Sequence, residues 1–144
     1  MPEKETLERA RKDKREGKAA STQAGEFVKE EIEHIREGKH GARSTKQAIA
    51  IGLSKARSAG VELPPPTNAS EETREQAKRD TRKAGSRKRP STKRSRATRE
   101  ALKREGHSAA SKTALSRQAR SAAKRRSAAS RSRSAKKAAA TRKK

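Results

Sequence analysis

In the stretch "GEFVKEEIEHIREG", Val28, Ile32 and Ile35 recur at steps of four and three, with Phe27 beside them and acidic residues around the rest of the turn. That spacing gives one apolar face of an amphipathic helix. The next stretch, "STKQAIAIGLSKARSAG", repeats it with Ile49, Leu53 and Ala56, while Ala48 and Gly52 widen the face. Two such helices joined by a short loop predict a hairpin, with Phe27, Val28, Ile32, Ile35, Ile49 and Leu53 as its core and as the surface for self-association. The segment "AIAIGLS" also has helix-turn-helix character, with the turn at Gly52. The stretch after it, "KARSAGVELPPP", meets Gly60 and then prolines, and Ser58 stands where an apolar residue is needed. Gly52 is therefore expected inside a helix, allowing close packing.

A phrase recurs three times: "KREGKAASTQA", "IREGKHGARSTKQA" and "KREGHSAASKTA". It reads as punctuation. Gly38 sits where a helix turns left-handed to satisfy its last carbonyls, and Ser44 with Gln47 matches a capping box that opens the next helix. By the same reading a polar helix over about 4–16 ends at Gly17 and another over about 97–105 ends at Gly106, with Ser or Thr capping the next helix in each case. Pro64, Pro65 and Pro66 fix φ and form a stiff spacer. Asn68 or Ser70 then caps a further helix, with Glu71 and Glu72 against its dipole. That helix lacks an apolar stripe and is expected to be exposed.

Charge divides the chain in two. Residues 1–81 hold 17 basic and 15 acidic side chains, whereas residues 82–144 hold 24 and 2. With 27% hydrophobic residues and a single aromatic one, the whole chain is too polar for one extended core. The predicted fold is mostly α: a helical module over 1–63 with its hairpin at about 22–60, a Pro-rich linker over 64–70, an exposed polar helix over 71–81, and a largely disordered basic tail over 82–144 that becomes helical on a partner. So few large side chains do not offset the backbone entropy of ordering the hairpin, which predicts a homodimer sharing apolar faces.

The tail is Lys, Arg, Ala and Ser, interrupted by "RKRPSTKRSR". In "SKTALSRQARSAAKRRSAAS", Leu115, Ala119 and Ala122 line one helical face and Arg117, Arg120 and Lys124 another. No aromatic residue offers a stacking platform, and Gln118 is the single amide, so contacts are expected to go to phosphate rather than to base edges. The candidate nucleic-acid-binding residues are Arg82, Lys83, Arg87, Lys88, Arg89, Lys93, Arg94 and Arg96, then Arg117, Arg120, Lys124, Arg125 and Arg126, and last Arg131, Arg133, Lys136 and Lys137. Duplex DNA is the favoured partner and RNA or the ribosome the competing one. An adaptor role, with the hairpin holding a protein and the tail localising it, is the alternative of a different class.

No phosphate-cradling glycine loop, nucleophile elbow or buried carboxylate pair stands out, so neither an enzyme nor a cofactor is expected. His34 has Glu30 at i−4 and Glu37 at i+3, with His40 just beyond; this reads as an exposed Glu/His face, and no metal is expected. The longest apolar run, "AIAIGL", is far too short to cross a bilayer, and no signal-type segment opens the chain. The expected location is the cytoplasm at the nucleoid, or the nucleus in a eukaryotic host.

The block "EGKHGARSTKQAIAIGLSKAR" resembles the core of a family of small, uncharacterised basic bacterial proteins, some labelled DNA-binding. The tail is similar in composition to linker-histone-like tails. The resemblance implies neutralisation and compaction of duplex DNA.

Overall fold

Local signals place the helix ends first. Helix α1, Lys4–Arg15, and helix α2, Ala20–Arg36, both stop at a glycine in the left-handed region, Gly17 at φ 71° and Gly38 at φ 76°. At each end two amides turn back onto the last carbonyls, Gly17 N to Lys14 O and Lys18 N to Asp13 O, then Gly38 N to Ile35 O and Lys39 N to His34 O. This double closure stops the helix and aims the chain away from its axis. Helix α3, Thr45–Ser58, opens on Ser44, whose hydroxyl accepts from Gln47 N, while the Gln47 side chain accepts from Arg43 N rather than from Ser44. At α2 no Ser or Thr caps; Ala19 holds that position without a side-chain bond.

The computed structural model describes residues 2–86 and 89–143. The described residues continue with α4 Glu71–Arg82, α5 Thr92–Lys103, a 3-10 turn at Ser108–Ala110, α6 Lys112–Lys124 and α7 Ala128–Arg142. Helix α2 packs against both α1 and α3, and α4 lies on α3.

The hairpin closes on small residues rather than large ones. Thr45, Ala48, Gly52 and Ala56 form the buried stripe of α3, and a Cβ on Gly52 would lie 2.6 Å from the Val28 Cα. Helix α3 runs unbroken through Gly52, so there is no turn of the helix-turn-helix kind at that glycine. Ile49, expected in the core, is half-exposed and belongs to neither core cluster. Leu53 is half-buried against Phe27, Ala10, Ala24, Ala56 and Val61. Ile32 and Ile35 pack with Ala42, Ala48, Ala109 and Ala110, and Val28 and Leu115 lie at the margin.

The second of these clusters overturns the largely disordered tail. Residues 92–142 form α5, α6 and α7 with the 3-10 turn between the first two. Ala110 is fully buried in the hairpin's own core. Ser91, Ser111 and Ser127 each accept a backbone N–H three residues on and so cap α5, α6 and α7. A cap contributes about 1 kcal/mol and a like-charge pair at i,i+4 costs about 0.2–0.5 kcal/mol. Alanine and arginine are strong helix formers as well. Capping and propensity therefore outweigh the repulsion that the net charge suggested.

Two further expectations are corrected. Helix α4 is not simply exposed: Ala77 and Asp80 are buried, and Ser54 Oγ donates to Asp80 Oδ2 at 2.7 Å. Gly106 does not turn left-handed. It brings the third copy of the phrase onto the second instead, since Gly41 N donates to Leu102 O at 2.8 Å and Ala42 N to Gly106 O at 3.0 Å.

Candidate nucleic-acid interface

Several cations of the first half are held by carboxylates. Arg9 donates to Glu26 at 2.6 Å, Lys18 binds Asp13 at 2.7 Å and Lys78 binds Glu75 at 2.7 Å. These bonds shift the titration of the groups that make them. The hydrogen bond to Glu26 raises Arg9, the bond to Asp13 and then that to Glu16 raise Lys18, and Lys78 holds Glu75 below the ordinary carboxylate range.

The basic residues beyond α4 differ. Arg82 closes α4 and Lys83 caps it. Arg87 and Lys88 lie outside the described residues. Arg89 precedes α5, which carries Lys93, Arg94 and Arg96. Arg117, Arg120 and Lys124 lie on α6, Arg125 and Arg126 on the link after it, and Arg131, Arg133, Lys136 and Lys137 on α7. Each of the described ones is exposed. Among the described residues none of them lies at ion-pair distance from a carboxylate, and the nearby Glu105 pairs across to Arg43 at 3.9 Å.

Helix α6 organises its cations best. Leu115 rests against the Ile32/Ile35 core, which fixes the helix's rotation. Lys112, Ser116, Arg117, Arg120, Lys124 and Arg125 then line an open groove along its outer side. Ala119 and Ala122, expected on the apolar face, are exposed; Gln118 is half-buried with Leu115. Lys112 was legible only as part of a continuous stripe through Arg117, Arg120 and Lys124. Arg126 turns onto the first turns of α7, its Nη2 donating to Ser130 O at 3.1 Å, so part of its role is to fasten that helix.

A second polar site lies across the hairpin, and sequence spacing had grouped it differently. His34 does not gather Glu30 and Glu37. Glu31, His34 and His40 converge instead, each able to offer a ligand atom within 4.8 Å of the others. Glu30 and Glu31 are 2% and 1% exposed, so a buried carboxylate pair exists after all. Lys55 binds Glu31 Oε1 and lies 3.7 Å from Glu30 Oε1. The loop that ends at Ser44 delivers His40 to this point, which helical periodicity on α2 cannot reveal.

Comparison with known proteins bears on the helical module. Residues 4–67 match the model of a family of unknown function (DUF6496). The match covers α1, α2 and α3 and runs through the three prolines; it stops before α4 and the basic residues beyond it. The resemblance to an uncharacterised family thus rests on the module, and neither a DNA-binding nor a linker-histone label comes with it. No curated protein and no solved structure matches the chain. Among the described residues no helix is long and apolar enough to cross a membrane.

Proposed function

We propose that the protein binds duplex nucleic acid, DNA in the first instance, through its phosphates and without reading sequence. The observation that carries this reading is the set of exposed cations on α5, α6 and α7, none of which lies at ion-pair distance from a carboxylate among the described residues, in a half of the chain that holds 24 basic and 2 acidic side chains. A polyanion is the ligand that such a surface lacks. From Lys112 to Lys124 helix α6 spans about 18 Å, along which a duplex carries roughly ten charges. The tail holds no aromatic side chain for stacking bases, which favours duplex over single strand.

Because α6 is held by Leu115 and the 3-10 turn by Ala110, the cations of α6 stand on a folded frame. Binding then needs little ordering of the chain. The test compares duplex DNA with structured RNA at matched salt on the full-length protein, and repeats it with Arg117→Gln, Arg120→Gln and Lys124→Gln combined. The expected result is tighter binding to DNA, insensitivity to its sequence, and a salt slope reduced by roughly 3 in the triple variant. A decisive preference for RNA, or an unchanged slope, overturns the reading.

A further inference from the structure

The geometry points to a divalent transition-metal site, of the kind zinc occupies, formed by Glu31 of α2, His34 one turn later and His40 of the α2–α3 loop. His40 Nδ1 lies 2.9 Å from Gly41 O, an acceptor only, so that nitrogen carries a proton and the neutral ring keeps its lone pair on Nε2. Nε2 faces Glu31 Oε2 at 3.2 Å. His34 repeats the pattern: Nε2 lies 3.0 Å from Glu3 Oε1, and Nδ1 faces Glu31 Oε1 at 3.9 Å. In both rings the outer nitrogen donates to an oxygen and the inner one points at the same carboxylate. This is how metal-ligating histidines are oriented, with a carbonyl or carboxylate fixing the tautomer from outside.

The carboxylate supplies the independent observation. Glu31 Oε2 is buried and, despite its closeness to His40, has no hydrogen-bond partner. Lys55 holds Oε1 and leaves Oε2 to face the His40 ring. Two buried carboxylates, Glu30 and Glu31, share this one ammonium, so one negative charge stands in excess in a poorly solvated place. Such a charge is costly unless a cation meets it.

Distances agree with the chemistry. Zinc bonds of about 2.0–2.2 Å to nitrogen and oxygen imply a tetrahedral edge of roughly 3.3 Å, close to the 3.2 Å between His40 Nε2 and Glu31 Oε2. His34 must draw in from its wider separation. Two imidazoles and one carboxylate suit zinc, cobalt or nickel better than calcium or magnesium, which prefer oxygen throughout. The bound ion ties the α2–α3 loop to α2. That loop also carries Gly41 and Ala42, on which the 102–106 segment docks, so the metal steadies the platform that positions α5 and α6.

The test uses the full-length chain without a histidine tag, stripped with chelator and titrated with zinc and with cobalt by calorimetry and absorbance. One ion per chain is expected, with a tetrahedral cobalt spectrum and a raised Tm. His34→Gln and His40→Gln, each checked for helicity, should weaken binding by at least about tenfold, and His107→Gln, outside the cluster, should leave it unchanged. Absence of one-to-one binding in the stripped protein overturns the proposal. Equal affinity in the wild type and both histidine variants does so too.

Discussion

A Cβ at residue 52 would meet the Val28 backbone, which no side-chain rotation can relieve, whereas one at Gly25 meets nothing within 4 Å. Gly52→Ala should therefore cost about 1–3 kcal/mol by forcing α2 and α3 apart. Gly25→Ala, in the middle of α2, should gain up to about 1 kcal/mol. Urea denaturation of the two variants checks the contrast, and equal stabilities would remove Gly52 as the close-contact point. Titration offers a second check at this scale. The hydrogen bond from His34, then Lys39, holds the Glu3 carboxyl below the usual carboxylate range. A depressed carboxyl stabilises the fold above its ordinary pKa of about 4.3, and that contribution is lost as pH falls through the lowered value. The Glu3 carbon resonance should titrate below the ordinary range in the wild type and move up toward it in His34→Gln.

Among the elements, the hairpin was legible because α2 and α3 announce themselves by period, by Gly38 and by the Ser44 cap. What the period could not show is where the centre of α3's inward face lies. Apolar counting put Ile49 and Leu53 in the same face as Ala48, Gly52 and Ala56; the small residues, with Gly52 as the close-packing point, hold that face because they let two backbones approach, and Ile49 turns out of the core. The same bias hid the docking of the tail: Ala109 and Ala110 look like spacers in an alanine-rich stretch, yet they cover Ile32 and Ile35, a face that sequence reasoning had assigned to a second copy. Thr45 Oγ1 donates to Ala109 O at 2.7 Å, and Arg36 Nε to Ala110 O at 2.9 Å. Gly41 is the tightest point of the seam, because a Cβ there would fall 2.0 Å from Glu105 O. Gly41→Ala should undock the segment: hydrogen exchange at the Gly41 and Ala42 amides should speed up markedly while amides inside α2 keep their protection. Thr45→Val, which strands the buried Ala109 carbonyl, should cost about 1–3 kcal/mol. Unchanged exchange in the glycine variant would mean that the seam does not hold the tail.

For the whole molecule, net charge was read correctly as an uneven distribution and incorrectly as disorder. A composition average cannot register three serine caps, a 3-10 turn inserted into the core, or Leu115 fixing the rotation of α6. The distribution itself remains the strongest clue to a partner. A nearly neutral module of α1 to α4 presents helices whose cations, among the described residues, lie at ion-pair distance from no carboxylate, and phosphates are proposed to occupy that place. The most direct measurement is the affinity of the full-length protein for a fluorescent DNA duplex as salt is raised. If about eight phosphates are engaged, log K should fall against log salt with a slope near −7, alike for unrelated duplex sequences and with the helical signal in circular dichroism present before DNA is added. A flat salt response would contradict it.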